Sequence, residues 1–361
     1  MSRMLTDRLR RLCGLCLLSA LAPAAVLAQS TLPAAGTPKP FWNAPRPGLP
    51  SASATPAPLS TATQSSLLPD RSSGAAASPF GQQAANPPPP TEIPLIEKKY
   101  EELSNHDLSE DGKKALAMDP AKWKHAETDN FIIHFRRATE AKKVAEQVEY
   151  DLWYVATQLG ASKDRYRKKS HVYVFLDEKE WKEFLETSNN KMKWAASYAY
   201  GDELYLNVHG GGNSGSGTSF DAQTLAHETT HAVVARLYPH KRWPLWLNEG
   251  LAEFMGKTSV AARKSQFSKR FERALNEAEL PLEKLEAMRD YPEDPIAIAQ
   301  LYQSSEKFVR FLMNEGGKER FPKFIDAILA GQSMQDSVHQ IYDDKFKDWD
   351  TLEKRYAKFT K

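Results

Sequence analysis

Cysteine is nearly missing from this chain of 361 residues: the two present, Cys13 and Cys16, both precede residue 29. Everything after residue 28 therefore forms no disulfide and offers no thiol for catalysis or metal binding. Proline is scarce in the body of the chain, with 16 of the 23 prolines inside residues 1–94 and only seven beyond. A strong charge of either sign is also lacking. The formal net charge is +2, and subtracting residues 1–28, with four Arg and one Asp, leaves −1. A near-neutral chain has no global pull toward nucleic acid or an anionic membrane, so neither is expected as a partner. Basic runs such as Arg165 to Lys169 read as solvated faces.

What is present divides the chain. Residues 1–28 carry Arg3, Arg8, Arg10 and Arg11, then an apolar stretch from Leu12 to Leu27, then Val26-Leu27-Ala28 before Gln29. This is the pattern of a secretory signal peptide, which implies export to the periplasm or beyond, with no stable membrane insertion after cleavage. A retained anchor is the alternative reading; Pro23 and the cleavage signature weigh against it. Residues 29–94 are rich in Pro, Ala and Ser and end in Pro87 to Pro90. Such a composition buries too little apolar surface to offset ordering, so a disordered tether is expected.

From residue 95 the pattern is that of an α+β fold. Residues 96–118 are charged and predict a helical arm closed by Pro120. Residues 130–135 and 171–176 are β-type runs, separated by a helix over 139–159 whose Val144, Val148, Leu152, Val155 and Leu159 recur at helical steps. Asp177 caps a short helix, and residues 195–200 and 203–208, split by Gly201-Asp202, predict a hairpin. Beyond Phe254 the chain reads as almost all helical: 260–279, 282–288, 295–316, 321–329 and 333–358. The division expected is a catalytic half over 95–256 and a helical half over 257–361.

The chemistry concentrates in His227-Glu228-Thr229-Thr230-His231. Histidines four apart on a helix share one face, about 6 Å along the axis, and can reach one metal ion. Glu228 then stands beside the metal, where a carboxylate can take a proton from a bound water. The helix is supported by Asp221 as N-cap, by Phe220 and Leu225 as a hydrophobic staple, and by Pro239 as a stop after Tyr238. A third ligand follows in Trp246-Leu247-Asn248-Glu249-Gly250-Leu251-Ala252-Glu253, where Glu249 and Glu253 share a helix face. One carboxylate can ligate; the other can hold the outer N–H of a ligand histidine. Flanking Trp246, Leu247, Leu251 and Phe254 imply a buried helix, in which unpaired carboxylates are costly.

HETTH followed by WLNEGLAEF resembles the gluzincin metallopeptidases, and among them the bacterial peptidase MA-like domains. That resemblance implies a zincin-like half, zinc as cofactor with His227, His231 and Glu249 as ligands, Glu228 as general base, and Glu253 as the acidic residue behind a ligand. It implies peptide or protein substrates. The interval from His231 to Glu249 is one residue shorter than in aminopeptidase N. The GxMEN motif for a substrate amine is absent, so recognition of a free N-terminus is not expected.

In enzymes of this kind an edge strand above the metal binds the extended substrate. Glu203 to Asn207 is the candidate, with an ordinary protected edge as the alternative. The Gly/Ser-rich stretch 210–217 reads either as a flap at the cleft rim or as a slack connection. Tyr302 is the candidate donor to an oxyanion, or else a buried structural tyrosine; His209 and His240 are weaker candidates. Two rival functions stand beside catalysis: an idle peptide- or cell-wall-binding module, and a protein in which zinc only clamps two helices. Structural zinc sites usually have four protein ligands, often cysteine, so three ligands and a free base favour the enzyme.

Overall fold

The fold is α+β, a mixed six-stranded sheet followed by a helical C-terminal part. The computed structural model describes residues 88–166, 168–190, 195–208, 220–263 and 279–359. The expected signal at 1–28, the proline-rich stretch to residue 87, His209, the 210–217 loop and most of the helix expected over 260–279 lie outside the described residues.

In chain order the elements are β1 (Ile96–Lys98), α1 (Glu110–Ala117), β2 (Lys124–Glu127), β3 (Phe131–Phe135), α2 (Ala138–Leu159), β4 (Ser170–Phe175) and α3 (Glu178–Thr187). There follow β5 (Ser197–Tyr200), β6 (Glu203–Asn207), α4 (Ala222–Leu237), α5 (Leu245–Arg263), α6 (Leu282–Ala287), α7 (Pro295–Leu329), α8 (Met334–Ile341) and α9 (Trp349–Phe359). The strand order is β1-β2-β3-β4-β6-β5, parallel at β3/β4 and β4/β6 and antiparallel elsewhere.

Two expectations about the sheet need correction. Residues 96–118 are not one helical arm: Ile96 to Lys98 pair with Glu127 to His125 as the outermost strand, and the helix starts only at Ser109, whose hydroxyl caps Gly112 N–H. Charged residues without a helical apolar stripe left the choice to the sheet edge, which satisfies their backbone groups and pairs Lys98 with Glu127 at 3.0 Å. The second correction is the identity of the other edge. Glu203–Asn207 is interior, paired with β4 on one side and β5 on the other, so the edge is β5. A hairpin pattern marks two arms without saying which faces the sheet; here fully buried β6 takes the inner place.

Strand alternation gives the sheet two different faces. Phe131, Ile133, Val172, Val174, Leu204 and Leu206 join one core with α2, α4, α5 and α7. That core runs without interruption into α8 and α9, and α5 crosses residue 256, so both halves share it. α7 turns at Gly317 (φ 56°, ψ −154°), a left-handed backbone that favours glycine, which places a break between the expected 295–316 and 321–329 segments. The expected last helix is two, α8 and α9.

The opposite face of the sheet is aromatic and polar. Tyr173, Phe175, Tyr198 and Tyr205 pack there with Trp181 and Phe184. Beside them His125 Nδ1 meets His134 Nδ1 at 2.7 Å, and His134 Nε2 meets His171 Nδ1 at 2.9 Å. Burial lowers His134 well below the ordinary histidine range, and lowers His171 to about 4. The unfolded chain, with histidine near 6.5, therefore binds more protons than the native one as pH falls. The part of the stability that depends on these two histidines is expected to be complete above about pH 6.5 and to decline toward pH 4. Urea midpoints at pH 7.5 and 5 test this: His171→Gln should flatten the decline, and an unchanged slope would remove the histidine chain as its source.

Candidate metal centre

α4 begins as its sequence predicts. Asp221 accepts from the N–H groups of Gln223 (2.7 Å) and Thr224 (3.1 Å), and Phe220 and Leu225 are both buried. Leu225, Ala226, Val233, Val234 and Leu237 anchor the helix in the core. The helix ends at Tyr238, before Pro239. His227 and His231 then project together, and α5 crosses close by. Gly256 makes this approach possible, since a Cβ there would lie 3.0 Å from Gln223 O and 3.2 Å from His227 N.

Three atoms converge. His227 Nε2 and His231 Nε2 are 3.1 Å apart, and Glu249 Oε2 lies 3.4 Å from the first and 3.7 Å from the second. Tetrahedral ligands with bonds of about 2.0–2.1 Å stand about 3.3–3.4 Å from one another, so these separations fit one small ion. The donor set passes a second test: Glu249 is 1% exposed, and its Oε2 has no hydrogen-bond partner. A buried carboxylate oxygen left unpaired is costly unless a cation meets it.

The supporting groups orient each of the three. His231 Nδ1 faces Asn248 Oδ1 at 3.2 Å, and His227 Nδ1 lies 3.4 Å from Glu253 Oε1. The outer nitrogen of each ring thus faces a side-chain oxygen, and the two Nε2 atoms face the shared point. Glu249 Oε1 accepts the Tyr291 hydroxyl at 2.5 Å. Sequence reading found Glu253 but missed Asn248 and Tyr291. Asn248 adjoins Glu249 and so was visible as an amide beside a ligand candidate. Tyr291 sits outside any helical or strand pattern, and only tertiary packing brings it in.

Electrostatics point the same way. Burial disfavours a charged His227, yet Glu249 and Glu253 outweigh it and hold the ring well above its ordinary range. Burial raises Glu249 and Glu253, but His231 and His227 pull Glu249 below the usual carboxylate range, while Lys257 and His227 bring Glu253 to about 2. The pocket therefore gathers positive charge. Glu228 behaves differently: burial raises its carboxyl, with His227 and His231 opposing. Its Oε1 accepts from Ser197 Oγ at 3.3 Å, and Ser197 is the first residue of edge strand β5.

Of the other candidates, Tyr302 on α7 places its ring 6.0 Å from that of His227 and 6.5 Å from that of Tyr291. His240 is exposed on the turn after α4, with φ 65°. A cleft of about 1320 Å³ opens from His231 and Asn248 past Ala199 and Tyr200 of β5 to His240. No protein-family model matches the chain, and no curated protein matches it.

If the three atoms hold one ion, purified protein should contain about one zinc per chain, and His227→Ala should contain none. Tyr291→Phe should keep the site but weaken zinc by about 10-fold, since it frees a ligand oxygen. Metal analysis and chelator competition measure both, and full zinc in His227→Ala would remove the site.

Proposed function

We propose that this chain is an exported zinc metallopeptidase of the gluzincin type, acting on peptides or proteins. The observation that carries this is a buried His-His-Glu convergence with one further carboxylate, Glu228, beside it and not spent on ligation. A purely structural site would close the remaining position with another ligand; here an acid–base group stands next to it. Zinc held by His227, His231 and Glu249 would supply Lewis acidity, polarising a carbonyl and bringing the pKa of water toward neutrality.

The chain's own groups carry the proton. Glu228, raised by burial, accepts it from the attacking water and returns it to the amine nitrogen as the peptide C–N bond breaks. β5 is the strand to hold substrate: among the described residues its outer edge is unpaired in the sheet, it lines the cleft with Ala199 and Tyr200, and Ser197 touches Glu228. Backbone N–H and C=O groups on such an edge bind an extended peptide without regard to its side chains. Tyr302, beside His227, is the donor for the developing oxyanion. Among the described residues no helix is long and apolar enough to cross a membrane.

Glu228→Gln is the test. It should retain the zinc content of the wild type while peptide hydrolysis falls by at least about 10²–10⁴-fold. A library of unblocked and N-blocked peptides supplies substrates, and undiminished hydrolysis by the variant would remove Glu228 from the reaction. Zinc binding without cleavage by the wild-type protein would favour the idle binding module.

A further inference from the structure

Behind the metal centre, α5 and α7 each carry polar side chains at four-residue steps. On α5 these are Glu249, Glu253 and Lys257; on α7 they are Tyr302, Glu306 and Arg310. Steps of four keep three residues on one helix face over two turns. The two rows meet because Gly250 lets the helices almost touch: a Cβ there would lie 2.5 Å from Ser305 O. Lys257 Nζ stands 3.3 Å from Glu253 Oε2 and 3.6 Å from Glu306 Oε2, and Arg310 Nε stands 3.4 Å from Glu306 Oε1.

We propose that Lys257 is a positioning residue for the metal centre. It fixes Glu253 with Oε1 3.4 Å from His227 Nδ1, and it ties that orientation through Glu306 to α7, the helix carrying Tyr302. Glu253 has one oxygen for His227, at 3.4 Å, and one for Lys257. With Lys257 gone, the second oxygen would turn toward any other donor and draw the first from the ring. Glu306, 6% exposed, would then keep Arg310 but lose the cation it shares with Glu253. Two like charges so placed repel, which separates α5 from α7 at the depth of the site. Neither effect needs a change in the three ligands themselves.

This proposal rests on a divalent ion bound by His227, His231 and Glu249, but not on peptidase activity. The test compares full-length wild type with Lys257→Met, Lys257→Arg and Glu306→Gln, using competition for zinc against a chelator and urea melts of the zinc-free proteins. Lys257→Met should weaken zinc by about 10–100-fold, and Lys257→Arg should restore it to within about threefold of wild type. Glu306→Gln should weaken zinc less, in the same direction. With cobalt in place of zinc, Lys257→Met should shift the visible bands and Lys257→Arg should not. A merely structural lysine would lower the urea midpoint and leave zinc affinity and cobalt spectrum alone; that result overturns the proposal. If Lys257→Met does not fold, Glu306→Gln decides, and unchanged zinc affinity there is equally fatal. Wild type that binds no zinc overturns this role together with the metal centre. Wild type that binds zinc but cleaves nothing overturns only the peptidase proposal.

Discussion

Three inward-facing atoms, His227 Nε2, His231 Nε2 and Glu249 Oε2, impose the constraint on which the rest of the structure depends. Holding them within tetrahedral reach of one point requires two helices to cross with almost no space between them. It also requires a carboxylate to remain ionised where water hardly reaches. Neither condition is met by α4 and α5 alone. Gly256 admits the close crossing with α4, and Gly250 admits the still closer contact with α7. The third layer, α7 and the segment before it, brings Tyr291 to Glu249 and Glu306 to Lys257. The helical C-terminal part is thus part of the site and not an appendage to it.

The sheet serves the same centre from the other side. α4 packs on β5 and β6, β3 and β4 join the same apolar core, and β5, the outermost strand among the described residues, lies next to Glu228. Because β6 pairs in parallel with β4 and β5 folds back outside it, the unpaired edge comes to the cleft rather than to the far end of the sheet. The far end carries β1, tied down by Glu127, which accepts from Lys98, Lys169 and the N–H of Ser104. One outer strand is pinned by ion pairs, and the other borders the cleft.

Local signals in the sequence determined the α+β order, the cap at Asp221, the helix that sets His227 and His231 on one face, and the pairing of Glu249 with Glu253. Each follows from spacing along one element, where the 3.6-residue period places side chains without knowledge of the rest of the molecule. Tertiary structure alone decided that β5 and not β6 forms the edge, that Ile96–Lys98 joins the sheet, that Asn248 meets His231 and Tyr291 meets Glu249, and that Lys257 joins Glu253 to Glu306. An edge is defined by what fails to pair, and a supporting residue by what packs against it. Both depend on contacts between segments far apart in the chain, which spacing within a segment cannot encode.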